Sequence, residues 1–351
     1  MNVIGNPDWT RPAVRLKNSV AAPVRRALAL AGRWTPNSLA ERATLQMDAL
    51  TLAGDKPEQR RLVYAQPRPE NEVVDNLLYT PQGMGVAVGK ITERYSIRAP
   101  SVPEILATPG APTRTISTGT IIEAETPYTY GDWVGDVVRA LVTAQGGLNS
   151  PIVLPRFLAE KPYVKRDIAA LGLDLISAEA PVLIKRATVL RKQLPSYYWS
   201  EADVAAYRKA FNVAPPPAKT GSMTYLGRYD LESESVAREY PTETVAEIMR
   251  SLGGDIFDAR KSSPATFDEM AVNMETVIAD QGSAVFGVMH WRTKNVIELA
   301  RRGWWHNANL FIAKGAGVEN YAVIVVDGLD KQTLRMRIEG HLKDFGALAA
   351  T

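Results

Sequence analysis

From Tyr128 onward the chain alternates short apolar runs with segments whose apolar residues recur at helical spacing, and this rhythm restricts the fold more than any other feature. Beyond residue 218 it is most regular. Met223 to Leu226 precedes a helical stripe from Thr242 to Leu252 stopped by Gly253-Gly254, and then comes Asp255-Ile256-Phe257. Ser263-Pro264 opens a segment with Phe267, Met270, Ala271 and Met274 on one face. Runs at Val277 to Ala279, Val296 to Leu299 and Ala322 to Val326 complete the series. Alternating strands and helices predict a parallel sheet covered on both faces, with ligands outside the carboxyl ends of its strands.

The same reading applies less regularly upstream. Asp132 is expected to cap a helix with the stripe Val134, Val137, Val138, Leu141 and Val142. Pro151 to Pro155, Leu173 to Ser177 and Val182 to Leu190 read as strands, and Tyr163 to Leu171 as a helix. Ser200-Glu201-Ala202-Asp203 is a capping box opening a helix that runs to Phe211. Ala214-Pro215-Pro216-Pro217-Ala218 continues neither helix nor central strand and is read as a linker. Before residue 125, Arg61 to Ala65, Gly85 to Gly89 and Thr120 to Ala124 are β-rich, Ala99 to Pro112 reads as a Pro-rich surface loop, and Ser38 to Met47 has helical spacing.

The expected organisation is therefore a helical and irregular segment (1–60), an N-terminal α/β domain (61–214), a Rossmann-like domain (218–330) and a helical tail (331–351). A chain of 351 residues accommodates two α/β domains of ordinary size, and 46% hydrophobic with 23% charged residues argues against wholesale disorder.

Several function classes drop out. A formal charge of +3 does not call for nucleic acid. The absence of cysteine removes thiol nucleophiles, disulfides and cysteine-ligated metals and fits a cytoplasmic setting. No apolar run reaches the ~20 residues of a membrane span. The basic and apolar stretch Val24 to Leu30 with Arg33 and Trp34 is suited either to rest peripherally on an anionic membrane face or to pack on the protein body. Only His290, His306 and His341 are present and none has ligand spacing, so no metal cofactor is expected. Walker A, G-x-G-x-x-G and G-x-S-x-G elements are missing, which lowers kinase, dehydrogenase and α/β-hydrolase readings.

The candidate chemistry lies at expected strand ends. Asp280-Gln281-Gly282-Ser283 forms a small-residue turn after a strand, with Gln281, Gly282 and Ser283 placed to offer donors to a diphosphate. The next apolar run, Val296 to Leu299, carries Glu298 near its end, read as a strand-end carboxylate that can accept hydrogen bonds from a ribose or sugar hydroxyl. Arg228 follows a strand and Arg238 precedes a helix, and either can clamp phosphate or serve as a surface ion-pair partner. Asp132, within Tyr128-Thr129-Tyr130-Gly131-Asp132-Trp133, can act as a general base or simply as a cap. Trp304-Trp305 can stack a base or fill a domain edge.

These elements, in their order, resemble glycosyltransferase family 61. There an aromatic-rich H-W or H-F motif opens a helix, an arginine pair precedes an N-E helix start, and an H-G-A-G-L-x-N turn is followed by V-I-E. The likeness spans roughly residues 120–330 through Tyr130-Gly131-Asp132-Trp133, Arg228 with Arg238, Asp280 to Gly287, and Val296-Ile297-Glu298. Asp132 and Gln281 stand where that family has histidine, and Pro241 and Gly287 where it has asparagine. The resemblance implies a two-domain GT-B fold and inverting, metal-independent transfer from a nucleotide sugar to a glycan. Asp132 would be the base, and Arg228, Arg238, Gln281, Gly282, Ser283 and Glu298 would hold the donor. Two other readings stand beside it: an inactive relative binding a glycan or protein, and a polysaccharide-modifying transferase with a non-sugar donor such as phosphoenolpyruvate.

Overall fold

The computed structural model describes residues 44–53, 56–65, 71–87, 94–96, 112–124, 129–144, 148, 150–191, 198–214, 216–227, 240–258, 270–301 and 308–348. Two strands, β1 (Thr44–Ala53) and β2 (Lys56–Ala65), form a two-stranded sheet. Thr44 to Met47 thus belong to a strand rather than to the end of the expected helix. In Thr44-Leu45-Gln46-Met47 polar and apolar residues alternate, so a period of two was available to a sheet partner in β2.

The chain divides into two compact units, one containing Val63–Tyr197 and the other Tyr198–Thr351. In the first, β3 (Glu72–Tyr79), β4 (Met84–Ala87), β5 (Arg94–Ser96), β6 (Arg114–Ile122), β7 (Ile152–Pro155), β8 (Leu175–Ala178) and β9 (Val182–Leu190) form one sheet. Their order is β5-β4-β3-β9-β6-β7-β8. The sheet is mixed: β6 pairs in parallel with β7 and β9, and β7 with β8, while β3 is antiparallel to both β4 and β9 and β4 to β5. Antiparallel pairing on one side departs from the parallel domain expected from sequence, because β3 carries the exposed polar residues Asp75 and Asn76 and does not read as an apolar run.

The register also bends this sheet. Thr120 pairs with Ile152 and Pro155 with Ala178, whereas Arg114 pairs with Val182. On a flat sheet the end of β8 would lie roughly 30 Å along the strands from the start of β9. Residues 179–181 can bridge at most about 14 Å, so the sheet curls on itself. Ala178 and Val182 accordingly share one core with Leu77, Tyr79, Ile121, Val153, Ile184 and Val189.

Helix α1 covers Tyr130–Asp132, a π-helical stretch Trp133–Val138, and Arg139–Val142. Its Val134, Val137, Val138 and Leu141 are buried as the spacing requires. The Trp133 indole N–H donates to Asp167 Oδ2 at 2.9 Å, fastening α1 to a later helix. That helix is α3 (Pro162–Ala170), which comes after the short α2 (Arg156–Ala159).

The second unit begins with α4 (Glu201–Ala210), whose N-terminus is the expected capping box: Asp203 N–H donates to Ser200 Oγ at 3.1 Å and Ser200 N–H to Asp203 Oδ2 at 3.2 Å. Its strands are β10 (Met223–Gly227), β11 (Asp255–Asp258), β12 (Thr276–Asp280), β13 (Asn295–Ala300) and β14 (Asn320–Val325). All four pairings are parallel and the order is β11-β10-β12-β13-β14. Every residue of β10, β12 and β13 is buried, as a parallel sheet covered on both faces demands.

Helices α5 (Thr242–Ser251) and α7 (Lys331–Asp344) cover one face. Val245, Ile248, Met249, Leu334, Ile338 and Leu342 meet Tyr225, Ile278, Ile297, Leu299 and Ile324 there. Helix α6 (Ala308–Ala316) and a 3-10 turn, Ser283–Met289, pack together with α4. The helix expected from Ser263 lies outside the described residues except at its end, where Ala271–Asn273 is a 3-10 turn.

The divide at Tyr197–Tyr198 precedes the Pro-rich linker read from sequence, and α4 shows why. The Arg208 guanidinium donates to the carbonyls of Met289 (2.9 Å), Trp291 (3.3 Å), Val288 (3.4 Å) and Ala316 (3.5 Å), and Tyr207 Oη lies 2.7 Å from His290 Nε2. A helix so tied to the second sheet's connections belongs with that sheet.

Two glycines permit close approach on this side. A Cβ at Gly315 would strike the Trp199 carbonyl, and one at Gly287 would enter the Trp291 ring. Gly315→Ala and Gly287→Ala should each lower the stability of the full chain by ~1–3 kcal/mol. Urea unfolding will show this as a lower midpoint at constant slope. The same midpoint as the parent would mean the two contacts are slack.

Candidate functional site

The order β11-β10-β12-β13-β14 reverses between β10 and β12, since the chain leaves β10 toward β11 and leaves β12 toward β13. The carboxyl ends of strands flanking such a point are where open α/β sheets bind ligands. Asp280, the last residue of β12, is fully buried there. Its Oδ1 accepts from the Tyr225 hydroxyl at 2.8 Å and its Oδ2 from Thr242 Oγ1 at 3.2 Å. One carboxylate thus joins β10, β12 and the first residue of α5.

Gln281 continues the ladder, its N–H donating to the Leu299 carbonyl at 2.9 Å. Its side-chain Oε1 faces the Tyr240 hydroxyl at 3.5 Å. Gly282 and Ser283 are half-buried at the turn. The next element is the seven-residue 3-10 turn rather than an α-helix, and Gly282 stands at its N-cap without a side-chain hydrogen bond. The Trp291 ring occupies the space that a side chain at Gly287 would need, so the chain is drawn into a tight turn.

Glu298 is not a strand-end group. β13 runs on to Ala300, and Glu298 is fully buried, alternating with Ile297 and Leu299 and so pointing away from α5 and α7. Its Oε1 accepts from Asn309 Nδ2 of α6 and its Oε2 from the Tyr321 hydroxyl of β14 at 2.8 Å. Burial, then the Glu298 charge, drives the Tyr321 phenol well above its ordinary pKa. The carboxylate links α6 and β14 to β13 instead of offering itself to a ribose. Asn309 Oδ1 is itself buried without a hydrogen-bond partner.

The groups that do line a cleft at this edge are Tyr240, Pro241, Arg301, Val326, Asp327 and Gly328, around a volume of 270 Å³. Arg301 comes directly after β13, and Asp327 lies just past β14. Arg301 Nε donates to Asp327 Oδ1 at 2.9 Å, with the two side chains 26% and 28% exposed. The strand-end rule that singled out Glu298 would have found Arg301 had β13 been carried to Ala300, and it also points to Asp327, the residue after the expected run Ala322 to Val326.

Asp132 in the first unit occupies the third position of α1, not its N-cap. Thr129 is the cap: Asp132 N–H donates to Thr129 Oγ1 at 3.2 Å, and Asp132 Oδ2 accepts from Thr129 Oγ1 at 2.8 Å and Thr129 N–H at 3.2 Å. A reciprocal box satisfies two donors at the helix start, which is why Thr129 displaced the expected cap. Tyr163 stands nearby, its pKa raised by burial and then by the Asp132 and Asp167 charges. Tyr130 is pushed up to about 12, first by burial and then by Asp167. Its ring lies under the Arg166 guanidinium at 5.6 Å and edge-on to Tyr163 at 5.6 Å.

Arg228, Arg238, Trp304, Trp305, His306 and the basic stretch Val24 to Trp34 lie outside the described residues. Among the described residues no group of three or more histidines and carboxylates could hold a metal, and no helix is long and apolar enough to cross a membrane.

No family model and no curated protein matches the chain. Among solved structures, a histidine-to-aspartate mutant of a flavo di-iron protein from Thermotoga maritima matches 54% of this chain and 49% of its own at 12% identity, with a TM-score of 0.26. The match thus spans about half the length of that protein, at a likeness that says nothing about activity.

Glu298→Gln replaces one buried acceptor oxygen by a donor facing Asn309 or Tyr321, and should cost ~1–3 kcal/mol in stability. The same variant should bind ligands at the carboxyl edge as the parent does. A large loss of ligand affinity at parental stability would return Glu298 to the ligand's surroundings.

Proposed function

We propose that the Tyr198–Thr351 unit holds a nucleotide-sugar donor at the carboxyl edge of its sheet and that the protein is an inverting, metal-independent glycosyltransferase acting on a glycan acceptor. The observation that carries the donor site is the reversal of strand order beside Asp280, with Gln281, Gly282 and Ser283 at the strand end and a polar cleft at the same edge. The reaction class rests on the resemblance to glycosyltransferase family 61 along residues 120–330, as does the finer reading of two Rossmann-like domains in a GT-B pair.

In this reading the acceptor hydroxyl attacks the anomeric carbon and the bond from that carbon to the diphosphate oxygen breaks. Asp132 takes the hydroxyl proton and the nucleoside diphosphate leaves with the bonding pair. Gln281, Gly282 and Ser283, with Arg228 and Arg238, meet the leaving charge. Glu298 has no part in this scheme, because Asn309 and Tyr321 claim its oxygens.

A specific observation favours a second reading. The Asp132 carboxylate already serves the Thr129 capping box, as it would in a relative that binds a glycan without transferring sugar.

A thermal-shift series of nucleoside diphosphates and nucleotide sugars, with and without EDTA, tests the donor site. A ligand at ~100 times its dissociation constant should add about 2.7 kcal/mol of stability. A shift produced by one nucleotide family and unchanged by EDTA is the expected result, and silence across the series would remove the donor site.

Asp132→Asn, in turn, keeps an acceptor for the capping box but cannot take a proton at neutral pH. It should lower turnover by ~10²-fold or more at unchanged donor affinity. Parental turnover would dismiss Asp132 as base, and donor binding without turnover in the parent itself would select the inactive reading.

A further inference from the structure

We infer that the cleft at Tyr240 and Pro241 takes the base of the nucleotide, with the Tyr240 ring as the surface on which that base stacks. The nucleotide rests on the proposed function; the assignment of its base to this cleft rests on the residues that line it.

The two charges in the lining belong to one ion pair, Arg301 Nε donating to Asp327 Oδ1 at 2.9 Å, with only 26% and 28% of the side chains exposed. Opposite in sign and engaged with each other, they do not draw a phosphate as a lone guanidinium fork would. The rest of the lining is Tyr240, Pro241, Val326 and Gly328, none of which carries a formal charge. Of the three parts of a nucleoside diphosphate, the base alone is a flat, uncharged ring system, and every base has a π-face that an aromatic side chain can stack on. A volume of 270 Å³ falls short of the ~300–1,000 Å³ that encloses a whole small-molecule ligand, and suits a single ring system.

The position of the cleft agrees with this assignment. Gln281, Gly282 and Ser283 follow β12, whereas Arg301 follows β13 and Asp327 lies just past β14. Neighbouring strands lie roughly 5 Å apart, so the cleft is one to two strand spacings from the turn, an interval that a ribose fills between diphosphate and base. Tyr240 reaches across it, its hydroxyl facing Gln281 Oε1 at 3.5 Å while the residue lines the cleft. It also packs against the core that holds Tyr225, Val245 and Leu334, so the ring is fixed before a ligand arrives and little ordering cost remains for stacking. Gly328, at φ 73°, presents no side chain, and a Cβ there would meet nothing within 4 Å, which keeps the cleft open at that point.

Titration calorimetry on the full chain with uridine, cytidine, guanosine and adenosine diphosphates and with inorganic pyrophosphate tests the assignment, and melting curves establish that each variant folds. For the nucleotide that the parent binds most tightly, Tyr240→Leu should weaken binding by roughly five- to hundredfold, the contribution of one stacked base. Tyr240→Phe, which keeps the ring, should lose far less. Gly328→Asn adds a side chain to the cleft lining with a residue that tolerates the left-handed backbone; it should weaken the same nucleotide, and it keeps the test open if Tyr240→Leu does not fold. Pyrophosphate has no base, and its affinity should be the same in all four proteins. Pyrophosphate too weak to measure beside a bound nucleotide would itself place the affinity in the nucleoside.

Parental nucleotide affinity in folded Tyr240→Leu or Gly328→Asn would overturn the base assignment and leave the donor site standing. So would an equal loss of nucleotide and pyrophosphate in Tyr240→Leu, which would make Tyr240 a support for the turn rather than a surface for the base. If no nucleoside diphosphate binds the parent, the donor site itself falls, and the base assignment with it.

Discussion

The buried carboxylate of Asp280 organises the second unit. It ends the central strand β12, accepts from Tyr225 in β10 and from Thr242 at the start of α5, and so fixes the point where strand order reverses. A charge or dipole enclosed beside a core that includes Tyr225, Ile278 and Val245 is tolerable only when its hydrogen-bonding capacity is met, and the tyrosine and threonine hydroxyls meet it. The consequence is geometric. With three elements pinned at one carboxylate, Gln281 continues straight into a bond with Leu299, and the polar residues after β13 and β14 open on the same edge.

Glu298 does for the opposite face what Asp280 does here. Each is an acidic residue in a parallel strand buried along its whole length, and each receives two donors from neighbouring elements. Truncating either would leave hydroxyl or amide donors stranded in a dry interior, which costs more than the bonds themselves contribute. Two acidic residues at strand positions that suggest ligand binding therefore act as fasteners, whereas Arg301 and Asp327 are among the residues that line the cleft at this edge.

The parallel sheet of the second unit was legible because β10, β12 and β13 are buried on both faces and so read as largely apolar runs. The box at Ser200 and Asp203 was legible for a local reason, the spacing of two side chains within one turn. What escaped depended on distant partners. β3 carries exposed Asp75 and Asn76 and is a strand through pairing with β4 and the remote β9. The end of β13 was misplaced because a carboxylate inside a strand looks, in one dimension, like a carboxylate at its end; only Asn309 and Tyr321 reveal the difference. Thr129 outranked Asp132 as the cap because both residues have suitable side chains and the helix start chose between them.

Arg208 gives the second unit a further property. One guanidinium collects carbonyls from Val288, Met289, Trp291 and Ala316, segments separated by up to 108 residues from it along the chain. Helix α4, the 3-10 turn and the end of α6 therefore cannot open one at a time without stranding a half-buried charge. Amide hydrogens across these three segments should exchange with solvent as one cooperative group, and a fragment cut at the proline run would separate the keystone from the carbonyls it holds.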